Sequence, residues 1–289
     1  MEKFNKFPMS SNYKITQNEY EINSIRLFVE EMGEGEPLLM IPGLGAGSWL
    51  WRKSISLSEN FRLIMPHLRG SGRSDKPDHR YTIEQFSDDI NCLMEKLSLD
   101  RFHVVGVSMG GFVAQSFACA HPEKVQSLSL VCTSAGGTNQ VGPDGYTLSR
   151  MIRLRGKTRD ERMMDAYKLN FTEGFLESHP DEIEAITQWR IRYPQPEFAY
   201  YRQLLAGTAF SGVDLQKING TPTLILGGKE DEMVPAEDVQ KLNELIHGST
   251  KIMMNGKHMF FMENADEFNH ELTEFFMRNA MMETENVYR

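Results

Sequence analysis

The chain has 289 residues, 40% of them hydrophobic and 25% charged, which suits one large α/β domain with an inserted lobe and excludes collagen-like and disordered classes. Its formal charge of −9 repels polyanions, so nucleic acid and anionic membrane surfaces are disfavoured and small molecules or proteins are the expected partners. Cys92, Cys119 and Cys132 lack metal-type spacing and read as reduced core residues; with no apolar segment resembling a signal peptide or membrane span, a cytoplasmic location is expected.

In chain order, residues 20–30 alternate as a half-exposed antiparallel strand, and Gly33 to Pro37 reads as the turn of a hairpin opening the sheet. Short apolar runs suited to buried parallel strands follow at Pro37 to Ile41, Phe61 to Met65, Phe102 to Val107, Val125 to Val131 and Thr223 to Leu226, with a weaker one at Lys251 to Met254. Between them lie helical segments. The clearest is Thr82 to Leu97, where Thr82 can cap and Ile83, Phe86, Ile90, Leu93, Met94 and Leu97 form one apolar stripe. Met109 to Cys119, Ala236 to Ile246 and Phe260 to Met277 are the others.

Repeated strand, helix, strand order implies an α/β fold with a mostly parallel, twisted sheet covered by helices on both faces. The order breaks once, after Val131, where residues 135–211 offer only helices and loops. The expected organisation is a core of residues 1–134 and 212–289 with a helical cap over 135–211. The aromatic and methionine residues of that stretch, Tyr146, Met151, Met163, Met164, Tyr167, Phe171, Trp189, Tyr193, Tyr200 and Tyr201, suit an apolar substrate roof, but helix packing requires the same residues, and that reading covers most of them.

Gly106-Val107-Ser108-Met109-Gly110-Gly111 sits where a buried strand ends and a helix begins. In such a G-x-S-x-G turn the serine takes a strained conformation on a sharp bend, which demands glycines two residues to either side. The helix beginning at Met109 favours an oxyanion there through its free N–H groups and positive end. The alternative is a glycine-rich turn without a catalytic role. A serine hydroxyl needs an imidazole to take its proton and a carboxylate to fix the imidazole tautomer. Of eight histidines, His258 alone lies in a loop between the last strand and the last helix; His79, His103, His121, His247 and His270 read as structural. Asp231 is the candidate acid in the loop after Thr223 to Leu226, with Glu230 and Glu232 read as solvated neighbours.

From about residue 20 to residue 278 the chain resembles the α/β-hydrolase superfamily, in the cap-bearing branch of esterases, enol-lactonases and cofactor-free haloperoxidases. The family's order of serine, acid and histidine matches Ser108, Asp231 and His258, with Pro235 placed as in the family's G-x-x-D-x-x-V-P loop. The resemblance aligns Ile41-Pro42-Gly43-Leu44-Gly45 with the oxyanion loop, which implies the N–H groups of Leu44 and Met109 as oxyanion donors. Two departures stand out. Pro42 replaces the histidine of the usual His-Gly, and His67 replaces the aspartate of the usual Asp-x-Arg-Gly-x-Gly-x-Ser, continued here as Leu68-Arg69-Gly70-Ser71-Gly72-Arg73-Ser74. His67 is read as a structural, surface-polar histidine.

Ser108 excludes the branches that use an aspartate nucleophile. Met109 after the serine argues against proline iminopeptidases, and Val107 with Met259 against carbon–carbon bond hydrolases. The segment Gly106 to Val131 most resembles enol-lactonases and small carboxylesterases. The expected activity is therefore cleavage of a carboxylic ester or lactone of a small, partly apolar substrate through an acyl-enzyme on Ser108. A non-hydrolytic or ligand-sensing member of the fold, or a cofactor-free perhydrolase or haloperoxidase, is the alternative. No metal or organic cofactor is expected, since the histidines lack ligand spacing and no phosphate-binding fingerprint precedes a helix. The basic run Arg150, Arg153, Arg155, Lys157, Arg159 and Arg162 reads as a solvated helix face, with steering of a carboxylate-bearing substrate as the other reading.

Overall fold

In the computed structural model, which describes residues 14–152 and 158–287, the apolar runs pair into one eight-stranded sheet of order β1-β2-β4-β3-β5-β6-β7-β8. The strands are β1 (Ile15–Ile22), β2 (Ile25–Met32), β3 (Glu36–Ile41), β4 (Phe61–Pro66), β5 (Phe102–Val107), β6 (Val125–Val131), β7 (Thr223–Gly228) and β8 (Thr250–Met254). From β4 through β8 every pairing is parallel; β1 with β2 and β2 with β4 are antiparallel.

The opening hairpin differs from the sequence expectation. Residues 20–30 are not one strand but the end of β1 and most of β2, joined at Asn23 and Ser24, both with positive φ (49° and 64°). Asparagine tolerates that region, and two such residues make the tight turn that matches strand twist. Gly33 to Gly35 instead leads into β3, which pairs with β4 and β5, not with β2.

Helices α1 (Ile83–Lys96) and α2 (Met109–Ala120) cross between parallel strands, and Thr82 caps α1 by accepting the Gln85 N–H at 3.1 Å. After β6 the chain forms an inserted helical region: α3 (Gly145–Ile152), α4 (Arg159–Asn170), α5 (Glu173–Ser178), α6 (Pro180–Arg192) and α7 (Glu197–Thr208). Helix α8 (Ala236–Leu245) joins β7 to β8. The expected last helix is two, α9 (Phe260–Glu263) and α10 (Ala265–Val287), separated at Asn264, whose side-chain amide donates to the Asn255 and Phe260 carbonyls. Among the described residues, no helix is long and apolar enough to cross a membrane.

Successive side chains on a strand point to opposite faces. Leu39, Ile41 and Val104 therefore join Phe86, Ile90, Phe117 and Leu242 on one face, while Leu38, Met40 and Val105 join Trp51, Phe268 and Phe276 on the other. Burial on both faces accounts for the uninterrupted apolar runs. Cys132 is buried, Cys92 and Cys119 only partly so, and all three are free thiols.

Candidate active site

Parallel register brings the C-terminal ends of β3, β5, β7 and β8 to one edge of the sheet, where α/β folds place their ligand sites. Ser108 follows β5, Asp231 follows β7, His258 follows β8, and Leu44 follows β3. Ser108, His258, Gly43 and Leu44 line one cavity of about 350 Å³.

Ser108 has φ 55° and ψ −121°, a strained conformation for a residue with a side chain. Its backbone is held by three bonds: its N–H to Val131 O (2.9 Å), and its carbonyl accepting from the Gly111 N–H (2.8 Å) and the Thr133 hydroxyl (3.0 Å). The flanking glycines are required by contact. A Cβ at Gly110 would lie 2.4 Å from Ile41 O and 2.6 Å from Pro42 O, and one at Gly106 would lie 2.4 Å from Gly110 O. Gly43 sits against the elbow, where a Cβ would be 3.3 Å from Ser108 Cβ.

His258 Nδ1 is 2.8 Å from Asp231 Oδ2, and both residues are buried. The other carboxylate oxygen, Asp231 Oδ1, accepts the N–H groups of Met233 (2.8 Å) and Val234 (3.0 Å), so the carboxylate cannot turn away. Burial, the largest single influence, would lower the His258 imidazole, but the adjacent Asp231 carboxylate together with the Cys132 side chain outweighs it and raises the group well above its usual range. The Cys132 thiol beside the ring is pushed up by its own burial, so it stays neutral.

His67 departs from expectation. It is fully buried, its Nδ1 accepts the Arg73 N–H at 2.9 Å, and its Nε2 therefore donates to the Ser48 hydroxyl at 2.9 Å. Burial lowers its pKa to about 3. Glycines make the space: a Cβ at Gly72 would lie 2.2 Å from the ring and one at Gly47 3.0 Å from it, while Trp189 of α6 packs edge-on at 5.4 Å. Arg69 of the same loop is buried in a bidentate pair with Asp89 at 2.6 and 2.7 Å. Structural is thus right for His67, and surface-polar is wrong.

Of the cap residues singled out by aromatic and methionine content, Met151, Met163, Tyr193 and Tyr200 line the cavity, Tyr167 and Phe171 are buried in the core, and Tyr146 is 70% exposed. Arg150 and Arg162 also line the cavity, joined by Arg190, which the sequence did not single out. Arg150 pairs with Glu232 at 3.4 Å and Arg162 with Glu197 at 3.8 Å, so these two are not a freely solvated face. Arg153, Arg155 and Lys157 lie outside the described residues, as does the side chain of Arg159. Glu232 also pairs with Lys257 at 2.9 Å. Among the described residues, no group of three or more histidine, cysteine or acidic side chains could hold a metal ion.

The family model described as the alpha/beta hydrolase fold matches residues 36–144, and the chain has the α/β-hydrolase fold. It is 27% identical over 264 residues to the AB hydrolase superfamily protein YisY of Bacillus subtilis, covering 87% of this chain and 95% of that protein. It is 26% identical over 234 residues to 3-oxoadipate enol-lactonase 2 of Acinetobacter baylyi, covering 81% and 85%. Among solved structures, an enol-lactonase from Burkholderia xenovorans superposes with a TM-score of 0.80 at 22% identity, covering 90% of this chain and all of that one. A thermophilic esterase from Thermogutta terrifontis does so with 0.77 at 24% identity, covering 91% and 99%.

Proposed function

We propose that this protein is a serine hydrolase cleaving a carboxylic ester or lactone of a small, partly apolar molecule. The observation carrying the reading is a strained serine that shares a cavity with a histidine whose other ring nitrogen is bonded to a fixed, buried carboxylate. With Nδ1–H committed to Asp231, Nε2 of His258 is the basic nitrogen. It takes the Ser108 proton as Oγ attacks the acyl carbon. The N–H groups of Leu44 and Met109 hold the oxyanion, the second at the start of α2, where helix N–H groups lack intrahelical acceptors. The tetrahedral intermediate collapses, His258 protonates the leaving alkoxide, and a water activated by His258 then hydrolyses the acyl-enzyme. Residues 135–211 serve as a cap deciding what reaches Ser108.

An ester or lactone substrate is supported by the similarity to the Acinetobacter enol-lactonase and by a cavity that joins Trp49, Leu50 and Met163 to the charged Arg150, Arg190, Asp165 and Glu197. The test is a panel of p-nitrophenyl esters and lactones of graded acyl length, with fluorophosphonate labelling. Wild-type protein should turn over short esters and take the label, and Ser108→Ala should lose the label and at least about 1,000-fold in kcat. Unchanged turnover in Ser108→Ala would overturn the assignment. So would a folded wild-type protein that resists the label while a bound ester or lactone raises its melting temperature.

A further inference from the structure

The inserted helices reach the loop that follows β3 through one buried side chain. Gln203, on α7, is 0% exposed. Its Oε1 accepts the Gly45 N–H at 2.9 Å and a hydrogen from Gln195 Nε2 at 3.0 Å, and its own Nε2 donates to Arg69 O at 2.7 Å. Gln195 Nε2 also donates to Gly70 O at 2.9 Å. A Cβ at Gly45, whose φ is +67°, would lie 2.8 Å from Gln195 Oε1, so the loop and the glutamines are in direct contact.

Pro42 stands at the head of this loop and carries no side-chain donor or acceptor. Within the loop, Ala46 N–H donates to Gly43 O at 3.2 Å. The Gly45 N–H belongs to the peptide plane immediately after Leu44, so its bond to Gln203 restrains the ψ of Leu44 and the direction of the backbone there. A buried amide accepting that N–H, itself fixed by two further bonds, cannot be lost without leaving polar groups unpaired.

We propose that Gln203, braced by Gln195, is a positioning residue for the oxyanion-binding loop, supplying from the inserted region the side-chain anchor that Pro42 cannot give. This rests on the hydrolase reading above, with Leu44 as an oxyanion donor. Gln203 touches no reacting atom; it acts through the backbone of residues 43–45. The inserted region would then help build the site as well as cover it.

The test compares Gln203→Met, Gln203→Asn and the control Arg202→Ala, which removes an exposed ion pair with Asp78 on the same helix, using ester kinetics, melting temperature and the affinity of a trifluoromethyl ketone with the acyl chain of the best ester. Gln203→Met should lower kcat about 10- to 100-fold with KM within about threefold. The ketone, whose tetrahedral adduct places an oxyanion in the hole, should weaken by the same factor as kcat/KM. Arg202→Ala should match wild type. Gln203→Asn, polar but too short to span the gap, should behave as Gln203→Met does and gives the readout if the methionine variant fails to fold.

Folded variants with kcat within about twofold of wild type would overturn the proposal. So would losses in which KM rises while melting temperature and kcat fall and ketone affinity is unchanged, since that is a packing defect. If wild-type protein shows no Ser108-dependent turnover, the hydrolase reading fails first and the positioning role falls with it, a result distinct from a Gln203 variant that keeps full activity.

Discussion

His258 is subject to opposing forces, burial against the imidazolium and its Asp231 and Cys132 neighbours in its favour, and the neighbours together prevail. A general base works only when neutral. If His258 is that base, kcat/KM should fall as pH drops through a midpoint above the ordinary histidine value of about 6.5. Asp231→Asn removes the charge and reverses the hydrogen-bonding demand on Nδ1. It should lower kcat about 10⁴-fold and move the midpoint down; a pH–rate profile unchanged by the substitution would contradict the role given to Asp231. The placement of Ser108, Asp231 and His258 at one edge of the sheet was legible because each follows an apolar strand at a readable distance. His67 and Gln203 were not. His67 is buried by Gly47, Gly72 and Trp189, and Gln203 meets the loop after β3 only through the tertiary fold, so neither carries a local signature.

The turn at Ser108 depends on three elements approaching closely, and Gly110 is where α2 meets the end of β3. A methyl group there meets two backbone oxygens, at 2.4 and 2.6 Å, which no rotamer change relieves. Gly110→Ala should therefore destabilise by at least about 1–3 kcal/mol, as overpacked sites do, and should depress ester turnover with it. A melting temperature equal to that of wild type would show that α2 can withdraw from β3 without cost. Parallel strands and their crossing helices were readable to within a residue or two because burial on both faces makes continuous apolar runs. Residues Ser48–Glu59 escaped notice. They form 3-10 turns that bury Ser48, Trp49, Leu50, Trp51, Ser54, Leu57 and Ser58, a pattern that matches neither the helical period nor the strand period. The opening hairpin was misplaced for a related reason: Asn23 and Ser24 make a turn of two residues within what looks like one alternating run.

Across the whole molecule, two buried histidines set the response to acid. His67 is lowered to about 3 and His103 to about 4, chiefly by burial. Since the unfolded chain takes up these protons near pH 6.5, both contribute stability that is present above that value and is lost as pH falls. The slope is about 1.4 kcal/mol per pH unit for each, or roughly 4 kcal/mol together between pH 7 and pH 5. His258, raised in the fold, has the opposite sign: its contribution grows as pH falls from 7 and is complete below its unfolded value, so it offsets only a small part of the acid loss. Urea melts at pH 7 and pH 5 test this, and equal unfolding free energies would refute it.

The bond between Gly45 and Gln203 closes a loop of 158 residues, and the one between Asn269 and Lys53 closes 216. Contacts of such separation form late, because their closure entropy must be met before they stabilise anything. On the ribosome the serine turn and the loop beside it emerge long before α7, and before the strands that present Asp231 and His258. On the proposed hydrolase reading, the N-terminal half of the nascent chain thus carries the nucleophile without the groups that would make it reactive, and competence arrives only with the C-terminal half.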